Sequence, residues 1–226
     1  MGGQACVFYG AAQVSKDIDF VVLADDQNFA RLQDALGRLQ AARIAVPPFD
    51  SEILQRGHAV HFRCAADGTE GLRIDVMTRM RGVDDFSKLW SRRTTVADDR
   101  GSEYHLLSIP DLVQAKKTQR AKDWPIIELL VSIHYRENDT SPSAESIDFW
   151  LREARTAELL SQICKRFPSE AATIQPQRRL LQTALSGQMD LLRAELDEER
   201  RTEQAKDREY WEPLKRELER LRHGER

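Results

Sequence analysis

The sequence predicts an α+β fold that ends in a helical extension. Residues 17–22 and 58–77 alternate apolar and polar side chains in the manner of β-strands. Apolar residues instead recur at three- and four-residue spacing after residue 25 and again beyond residue 108, which is typical of amphipathic helices. Because the strand patterns are confined to the first part of the chain, we expect an α+β domain followed by helices.

The chain is long enough for one sizeable core and a smaller appendage. It has 226 residues, of which 41% are hydrophobic. Its best linker candidate is the segment 137–143, where Asn, Asp, Thr, Ser and Pro follow one another. We predict a core domain over residues 1–136, a linker over 137–146, and a helical, highly charged C-terminal region over 147–226.

Composition favours a cytoplasmic protein that is not embedded in a membrane. The three cysteines are odd in number and widely spaced, which argues against a disulfide framework and against a structural zinc site. The sequence shows no apolar run near the roughly 18 residues of a membrane span and no signal peptide. The net charge of −3 does not favour nucleic-acid binding by bulk electrostatics, and local basic patches stay open.

Two aspartates project from one face of the first predicted strand. Residues i and i+2 of a strand share a face, so Asp17 and Asp19 converge. The alternate residues Ile18, Phe20 and Val22 are expected to point into an apolar layer. Two like charges about 4 Å apart repel by roughly 4 kcal/mol at an effective dielectric near 20. A cation or a proton is therefore expected between the carboxylates, and Mg²⁺ prefers carboxylate oxygen.

Residues 58–77 predict a β-hairpin that carries a third carboxylate. The two faces of its first strand hold different residues, His58, Val60, Phe62 and Cys64 on one side and Ala59, His61 and Arg63 on the other. The returning strand carries Asp75 on the face opposite Ile74 and Val76. Asp75 joins the other two aspartates if the strands are neighbours. His61 and Arg63 are candidate substrate contacts, with surface or hydrogen-bonded core positions as the alternative.

Capping residues and apolar spacing predict the other elements of the core domain. Residues 4–13 predict a short buried helix, and Asp25 or Asp26 caps a helix with the apolar stripe Phe29, Leu32, Leu36 and Leu39. Arginines between residues 79 and 104 suit phosphate contacts and solvated faces equally. Ser108 begins a further helix, in which Lys116, Arg120 and Asp123 share one face.

The C-terminal region predicts helices over residues 144–166 and 187–226. The second of these is highly charged, and its thin apolar stripe consists of Trp211, Leu214, Leu218 and Leu221. Such a stripe is too short to indicate a long coiled coil. We expect a solvated, partly frayed helix that docks on its own domain or on a partner. Homo- or hetero-oligomers through these helices, and a contact with nucleic acid, are left open.

Several short motifs of residues 1–135 occur together in one known family. They are Gly2-Gly3, then Ser15-Lys16-Asp17-Ile18-Asp19, then the strand-borne Asp75. Residues 110–117 and 120–123 add a Lys helix and an Arg-x-Lys-Asp segment. In these features the chain resembles the nucleotidyltransferase superfamily, which has a DNA polymerase beta-like fold and includes small bacterial and toxin-like members. The resemblance implies a mixed β-sheet with helices packed on it.

The resemblance also implies transfer of a nucleoside monophosphate from a nucleoside triphosphate to an acceptor hydroxyl, with release of pyrophosphate. Asp17, Asp19 and Asp75 would be catalytic and would hold two Mg²⁺ or Mn²⁺ ions, one at the triphosphate and one at the acceptor hydroxyl. Asp75 would bind the second ion and is a candidate acceptor for the hydroxyl proton. The triphosphate would contact Gly2, Gly3, Ser15, Lys16, Lys116 and Arg120. For the last two residues, a surface ion pair such as Arg120 with Asp123 is the alternative.

The sequence leaves the acceptor and the presence of catalysis open. An RNA 3′ end, a protein hydroxyl and a small molecule are all compatible with the resemblance. The alternative is a non-catalytic binding or toxin–antitoxin partner module that acts through the charged C-terminal helices. A metal-dependent nuclease would not explain the Gly-Gly turn. Because the family places a helix and a strand before that turn, we expect a start upstream of Met1. The alternative is a protein that lacks this strand, so that an edge of the sheet is missing, which would argue against activity.

Overall fold

A computed structural model describes residues 1–224 and confirms the α+β class. Its main sheet is mixed and contains the strands β1 (Asp17–Val21), β2 (Ala42–Arg43), β3 (Val60–Arg63) and β4 (Arg73–Met77). The strand order is β1-β4-β3-β2, with β1 parallel to β4 and the other neighbours antiparallel. A separate antiparallel pair is formed by β5 (Thr94–Ala97) and β6 (Glu103–Leu106).

Helices make up most of the remaining regular structure. In chain order they are α1 (Gly2–Phe8), α2 (Asp26–Arg38), α3 (Ser51–Gln55), α4 (Phe86–Ser91), α5 (Ile109–Lys116), α6 (Trp124–Asn138), α7 (Ala144–Glu153), α8 (Ala157–Arg166), α9 (Pro168–Ile174), α10 (Leu180–Ser186) and α11 (Met189–Arg222). A 3-10 turn over Ala121–Asp123 precedes α6. None of the helices formed by residues 1–224 combines the length and the apolar character of a membrane span.

Helix α2 packs on the main sheet through the apolar stripe that the sequence predicts. Phe29 and Leu36 are buried in one cluster with residues of β3 and β4, and Leu32 and Leu39 lie partly buried against it. The Asp25 carboxylate caps the helix, because its Oδ1 accepts a hydrogen bond of 2.7 Å from the backbone of residue 28. The predicted hairpin over 58–77 is also confirmed, since β3 pairs antiparallel with β4.

The structure corrects the predicted environment of Phe20. The strand pattern assigns this side chain to an apolar layer, yet 44% of its surface is exposed. The reason is the strand order, because β1 lies at the edge of the sheet and helix α2 covers β3 and β4 instead. The face that carries the aspartates is unaffected, since alternation alone decides it.

Three predicted helix boundaries also differ. Helix α1 begins at Gly2, so Gly2-Gly3 is the first turn of a helix and not a separate turn. The helix that Ser108 begins ends at Lys116, because the next residues fold around the Asp123 carboxylate, which binds Thr118 and Arg120. Lys116, Arg120 and Asp123 therefore do not share one helix face. Residues 144–166 form two helices, α7 and α8.

Contacts divide the chain into two compact units. One consists of Met1–Ala115 and the segment that begins at Glu209, and the other is Lys116–Arg208. The second unit is helical, and its fully buried side chains include Trp124, Trp150, Leu151, Leu160 and Leu181. The domain boundaries predicted at residues 136 and 146 stay a prediction.

Candidate functional site

Three carboxylates meet where β1 and β4 run side by side. The parallel register sets Asp19 directly beside Asp75, and Asp17 lies two residues earlier on the same face of β1. Each of the three side chains offers an oxygen, and these oxygens all lie within 4.8 Å of one another. The structure therefore brings together the three aspartates that the sequence singles out.

The charges of this cluster are not equivalent. Burial, together with the charges of Asp17 and Asp75, raises the pKa of the Asp19 carboxyl above its usual range. Burial opposes the ionisation of Asp75 as well, yet hydrogen bonds from His61 and Arg73 outweigh it and hold the pKa of Asp75 below its usual range. An added cation would therefore favour the ionised form of Asp19.

Asp75 already has two cationic or polar partners in the hairpin. Arg73 holds it with a fork, in which Nε lies 2.7 Å from Oδ1 and Nη2 lies 2.9 Å from Oδ2. His61, which faces Asp75 in the β3–β4 register, places Nδ1 2.8 Å from Oδ1. The same Nδ1 lies 3.1 Å from Arg73 Nη2. A His61 ring protonated at Nδ1 donates to the carboxylate.

The start of helix α1 packs directly against the aspartates. The backbone N–H of Gly3 donates a hydrogen bond of 3.3 Å to Asp19 Oδ2. A Cβ atom on Gly2 would lie 1.8 Å from Asp19 Oδ2, and one on Gly3 would lie 2.3 Å from Ser15 Oγ. Gly2 also has φ of +68°, a conformation that other residues rarely adopt. Both positions therefore require glycine for the observed packing.

Ser15 fixes the second carboxylate. Its Oγ lies 3.0 Å from Asp17 Oδ1 and 3.0 Å from the carbonyl oxygen of Asp17. The hydroxyl has one proton, so it donates to one of these oxygens at a time. Neighbouring Lys16 is exposed. Asp17 and Asp19 are thus each held by one donor from the segment that precedes them in sequence.

This donor set fits a small divalent cation. Mg²⁺ binds oxygen ligands at about 2.0–2.1 Å, so two ligands on opposite sides of one ion are about 4.2 Å apart. The three aspartate oxygens lie within 4.8 Å, close to that spacing. Carboxylates are hard ligands, and the pKa of Asp19 is raised first by burial and then by the charges of Asp17 and Asp75, so an added positive charge would favour its ionised form. Asp17, Asp19 and Asp75 could therefore hold Mg²⁺ or Mn²⁺.

The other residues predicted to bind phosphate have partners of their own. Lys116 and Arg120 belong to the second unit, where Lys116 Nζ lies 3.3 Å from Asp123 Oδ1 and Arg120 Nε lies 2.7 Å from Asp123 Oδ2. The ion pair of Arg120 with Asp123, one of the two alternatives, is present. A phosphate contact by either residue stays a prediction.

Two of the arginines in residues 79–104 also have partners within the chain. The guanidinium of Arg92 forks onto Asp111, with contacts of 2.7 and 2.6 Å, and it also reaches Asp84 at 2.8 Å. Arg93 lies over the ring of Trp90, with its Cζ 4.0 Å from the ring centroid. These contacts anchor α4 and the start of α5, and a substrate contact stays a prediction.

Arg73 is the residue of the site that sequence reasoning missed. The signal was available, because Arg73 and Asp75 are two residues apart in one predicted strand and so share a face. His61 was a candidate substrate contact, and the hairpin register instead sets it against Asp75.

Comparisons with protein-family models, with curated proteins and with solved structures find no match to the chain.

Proposed function

We propose that this chain is a metal-dependent nucleotidyltransferase, which moves a nucleoside monophosphate from a nucleoside triphosphate to an acceptor hydroxyl. One observation carries the proposal, namely that the β1–β4 register sets Asp19 beside Asp75 with Asp17 on the same face. Burial and mutual repulsion raise the pKa of Asp19, which is the condition that a divalent cation relieves. Bound there, the cation would also attract a triphosphate.

Each residue of the site has its own role in the proposed reaction. Asp17 and Asp19 hold the metal, and donors from Ser15 and Gly3 keep their carboxylates oriented. When bound, Mg²⁺ or Mn²⁺ neutralises phosphate charge and lowers the pKa of the acceptor hydroxyl. Asp75 completes the ligand set and is the proposed acceptor of the hydroxyl proton. The start of α1 and exposed Lys16 supply the surface for the triphosphate.

The proposal is tested by following the α-phosphate. Each of the four nucleoside triphosphates, labelled at that phosphate, is incubated with the protein and Mg²⁺ or Mn²⁺, and label is measured in separate pools of RNA, protein and small metabolites. We expect label in one pool, which also identifies the acceptor class. Transfer should be lost in the double variant Asp17→Asn/Asp19→Asn, because amides cannot replace two carboxylates as metal ligands.

The matched control for this experiment is Asp67→Asn. Asp67 is exposed and lies in the same hairpin as Asp75, at the turn and not at the site. This variant should transfer label as the wild type does. Transfer that survives in the double aspartate variant, or no transfer with any nucleotide and any pool, would contradict the proposal.

A second candidate function is a partner module without catalysis. One observation favours it, namely that Arg73 and His61 already satisfy the Asp75 carboxylate within the chain. The two functions differ in nucleotide binding. An enzyme of this type binds a nucleoside triphosphate in a Mg²⁺-dependent manner, and Asp19→Asn abolishes that binding, whereas the partner module shows no Mg²⁺-dependent binding.

A further inference from the structure

The fork of Arg73 on Asp75 restricts what this carboxylate can offer to a metal. A carboxylate has about four lone-pair positions, two on each oxygen. At Asp75, Oδ1 is approached by His61 Nδ1 at 2.8 Å and Arg73 Nε at 2.7 Å, and Oδ2 by Arg73 Nη2 at 2.9 Å. Oδ1 is therefore fully engaged, and Oδ2 keeps one position. Asp75 can accordingly act only as a monodentate ligand while the fork is in place.

The local charge leads to the same restriction. The three carboxylates carry three negative charges when ionised, and two positive groups lie beside them, the Arg73 guanidinium and the Met1 ammonium, which donates to the backbone oxygen of Asp19 at 2.8 Å. With His61 neutral, one negative charge remains, so one divalent cation leaves the cluster with one excess positive charge. A second divalent cation would leave it with three excess positive charges, unless Arg73 moved away or an anion arrived with the cation.

Arg73 is placed so that it could move. Its side chain is 42% exposed, whereas that of Asp75 is 9% exposed, so releasing the fork disturbs the guanidinium and not the sheet core. The fork consists of two hydrogen bonds, and the oxygens of a triphosphate can accept the same two hydrogen bonds from the guanidinium. The fork therefore fixes Asp75 in the nucleotide-free protein without making that arrangement permanent.

We propose that Arg73 is a positioning residue that limits the nucleotide-free site to one divalent ion, so that a second ion enters only together with the triphosphate. This inference rests on the proposed function. Arg73 stands in for the second ion by neutralising Asp75, and it keeps the carboxylate in one orientation. The triphosphate supplies the negative charge that admits the second ion and gives the guanidinium an alternative partner.

The test counts Mn²⁺ ions bound to the nucleotide-free full-length chain, from the electron paramagnetic resonance signal of free Mn²⁺ during a titration. The wild type should bind one ion per chain through Asp17 and Asp19. Arg73→Met, which has similar length and no charge, should bind two. The matched control is Arg63→Met, because Arg63 is exposed, faces Arg73 in the strand register and contacts a backbone carbonyl of the hairpin turn.

A second variant keeps the test decisive if Arg73→Met does not fold. Arg73→Lys keeps the charge but replaces the fork with a compact ammonium, so one oxygen of Asp75 is released. It should bind one ion per chain more tightly than the wild type does, or begin to bind a second. Circular dichroism shows which variants are folded.

The outcomes separate this inference from the function on which it rests. One ion in Arg73→Met, or in Arg73→Lys if only that variant folds, at the wild-type affinity overturns the role of Arg73 and leaves the proposed function standing. Two ions in the nucleotide-free wild type overturn the role of Arg73 as well. If the wild type binds no Mn²⁺, or if Asp17→Asn/Asp19→Asn binds it unchanged, the proposed function fails too.

Discussion

At the residue scale, the surroundings of Asp19 disfavour the ionised form of its carboxyl group. Its pKa is raised by burial and by the neighbouring charges of Asp17 and Asp75, so the folded, metal-free protein holds the Asp19 proton more tightly than the unfolded chain does. Hydrogen bonds hold the pKa of Asp75 below its ordinary value against the effect of burial. The two groups therefore influence stability on opposite sides of the ordinary pKa of 3.8.

A pH titration of stability without metal should separate these effects. Between pH 3.8 and the raised pKa of Asp19, the folded state binds more protons than the unfolded state, so stability falls as the pH rises. Asp19→Asn removes this loss. We expect its free energy of unfolding in urea, measured with a chelator, to exceed that of the wild type by an amount that grows with pH and then levels off. A difference independent of pH above 4 would contradict this account of Asp19.

Below pH 3.8 the lowered pKa of Asp75 takes over. Its stabilisation is complete above the unfolded pKa and is lost as the pH falls through the folded value. The comparison in urea should therefore be made above that range, where Asp75 is ionised in both states. Saturating Mg²⁺ should reverse the order of the two proteins, because only the wild type keeps the full ligand set.

Gly3 offers a test of the close packing between α1 and the carboxylates. Gly3→Ala should cost about 1–3 kcal/mol of stability through overpacking and should weaken Mn²⁺ binding, because its Cβ would displace the Ser15 hydroxyl that orients Asp17. The control is Gly37→Ala in helix α2, where a Cβ meets open space. That variant should gain about 0.5–1 kcal/mol. Urea unfolding and a Mn²⁺ titration measure both effects, and unchanged Mn²⁺ affinity in Gly3→Ala would contradict the role given to Ser15.

Residue-level alternation was sufficient to predict the three carboxylates, because faces of a strand depend only on spacing. Their meeting required the register of β1 against β4, which no local pattern contains. Arg73 is absent from the predicted site for a different reason, because a metal site is predicted from its anionic ligands and Arg73 is itself a cation. The same spacing rule, applied to all charged residues of the hairpin, would have found it.

At the scale of elements, the end of helix α11 docks on the unit that contains the carboxylates. Glu217 Oε1 lies 2.7 Å from Arg56 Nη2, and Glu217 Oε2 lies 2.8 Å from Nε2 of His58, whose side chain is 1% exposed. Leu214 of the same helix is buried beside Gly57, the residue between Arg56 and His58. Docking on its own domain, one of the two predicted alternatives for the thin apolar stripe, is therefore present at Leu214, next to the ionic contacts of Glu217.

Removing this ion pair should loosen the helix end. Glu217→Ala should cost about 1–2 kcal/mol, because it leaves the buried His58 ring without its partner while the exposed Arg56 is screened by solvent. Glu219→Ala, an exposed position of the same helix, should change stability by less than about 0.5 kcal/mol. Urea unfolding measures both. Equal effects of the two variants would show that the contact of Glu217 contributes nothing to stability.

Predictions of elements succeeded where a cap or a turn marks the boundary and failed where tertiary contacts decide it. Asp25 and Ser108 both begin helices as expected. The end of α5 at Lys116 could not be predicted from spacing, because the break depends on side chains that gather around Asp123. Phe20 was misplaced because a single strand pattern does not show which strand lies at the edge.

At the scale of the whole molecule, the second unit has a buried ionic network of its own. Arg178, which is 7% exposed, binds Glu199 and donates to the carbonyl oxygens of Leu151 and Ala154 at 2.7 and 2.8 Å. Arg155 binds Glu199 as well. The network satisfies carbonyls at the end of α7 that would otherwise be orphaned.

Breaking this network should be costly. Arg178→Met should destabilise the protein by about 3–5 kcal/mol, because it removes one partner of a buried ion pair and leaves backbone carbonyls unpaired. Arg179→Met, at the exposed neighbouring position, should be nearly neutral. Urea unfolding followed by circular dichroism tests this. If the two variants are equally stable, the network does not stabilise the second unit.

The long-range ion pairs of this network could not be predicted from sequence, because residues 155 and 199 are brought together only by the tertiary fold.

The proposed function requires that Asp17, Asp19 and Asp75 form the metal centre of nucleotidyl transfer. Its most direct test is a crystal structure of the protein grown with Mn²⁺ and a non-hydrolysable nucleoside triphosphate. We predict an anomalous Mn²⁺ peak within bonding distance of the Asp17 and Asp19 carboxylates, with the triphosphate bound to the same ion beside the start of α1. Nucleotide bound elsewhere, or a site without Mn²⁺ at saturating concentration, would contradict the account.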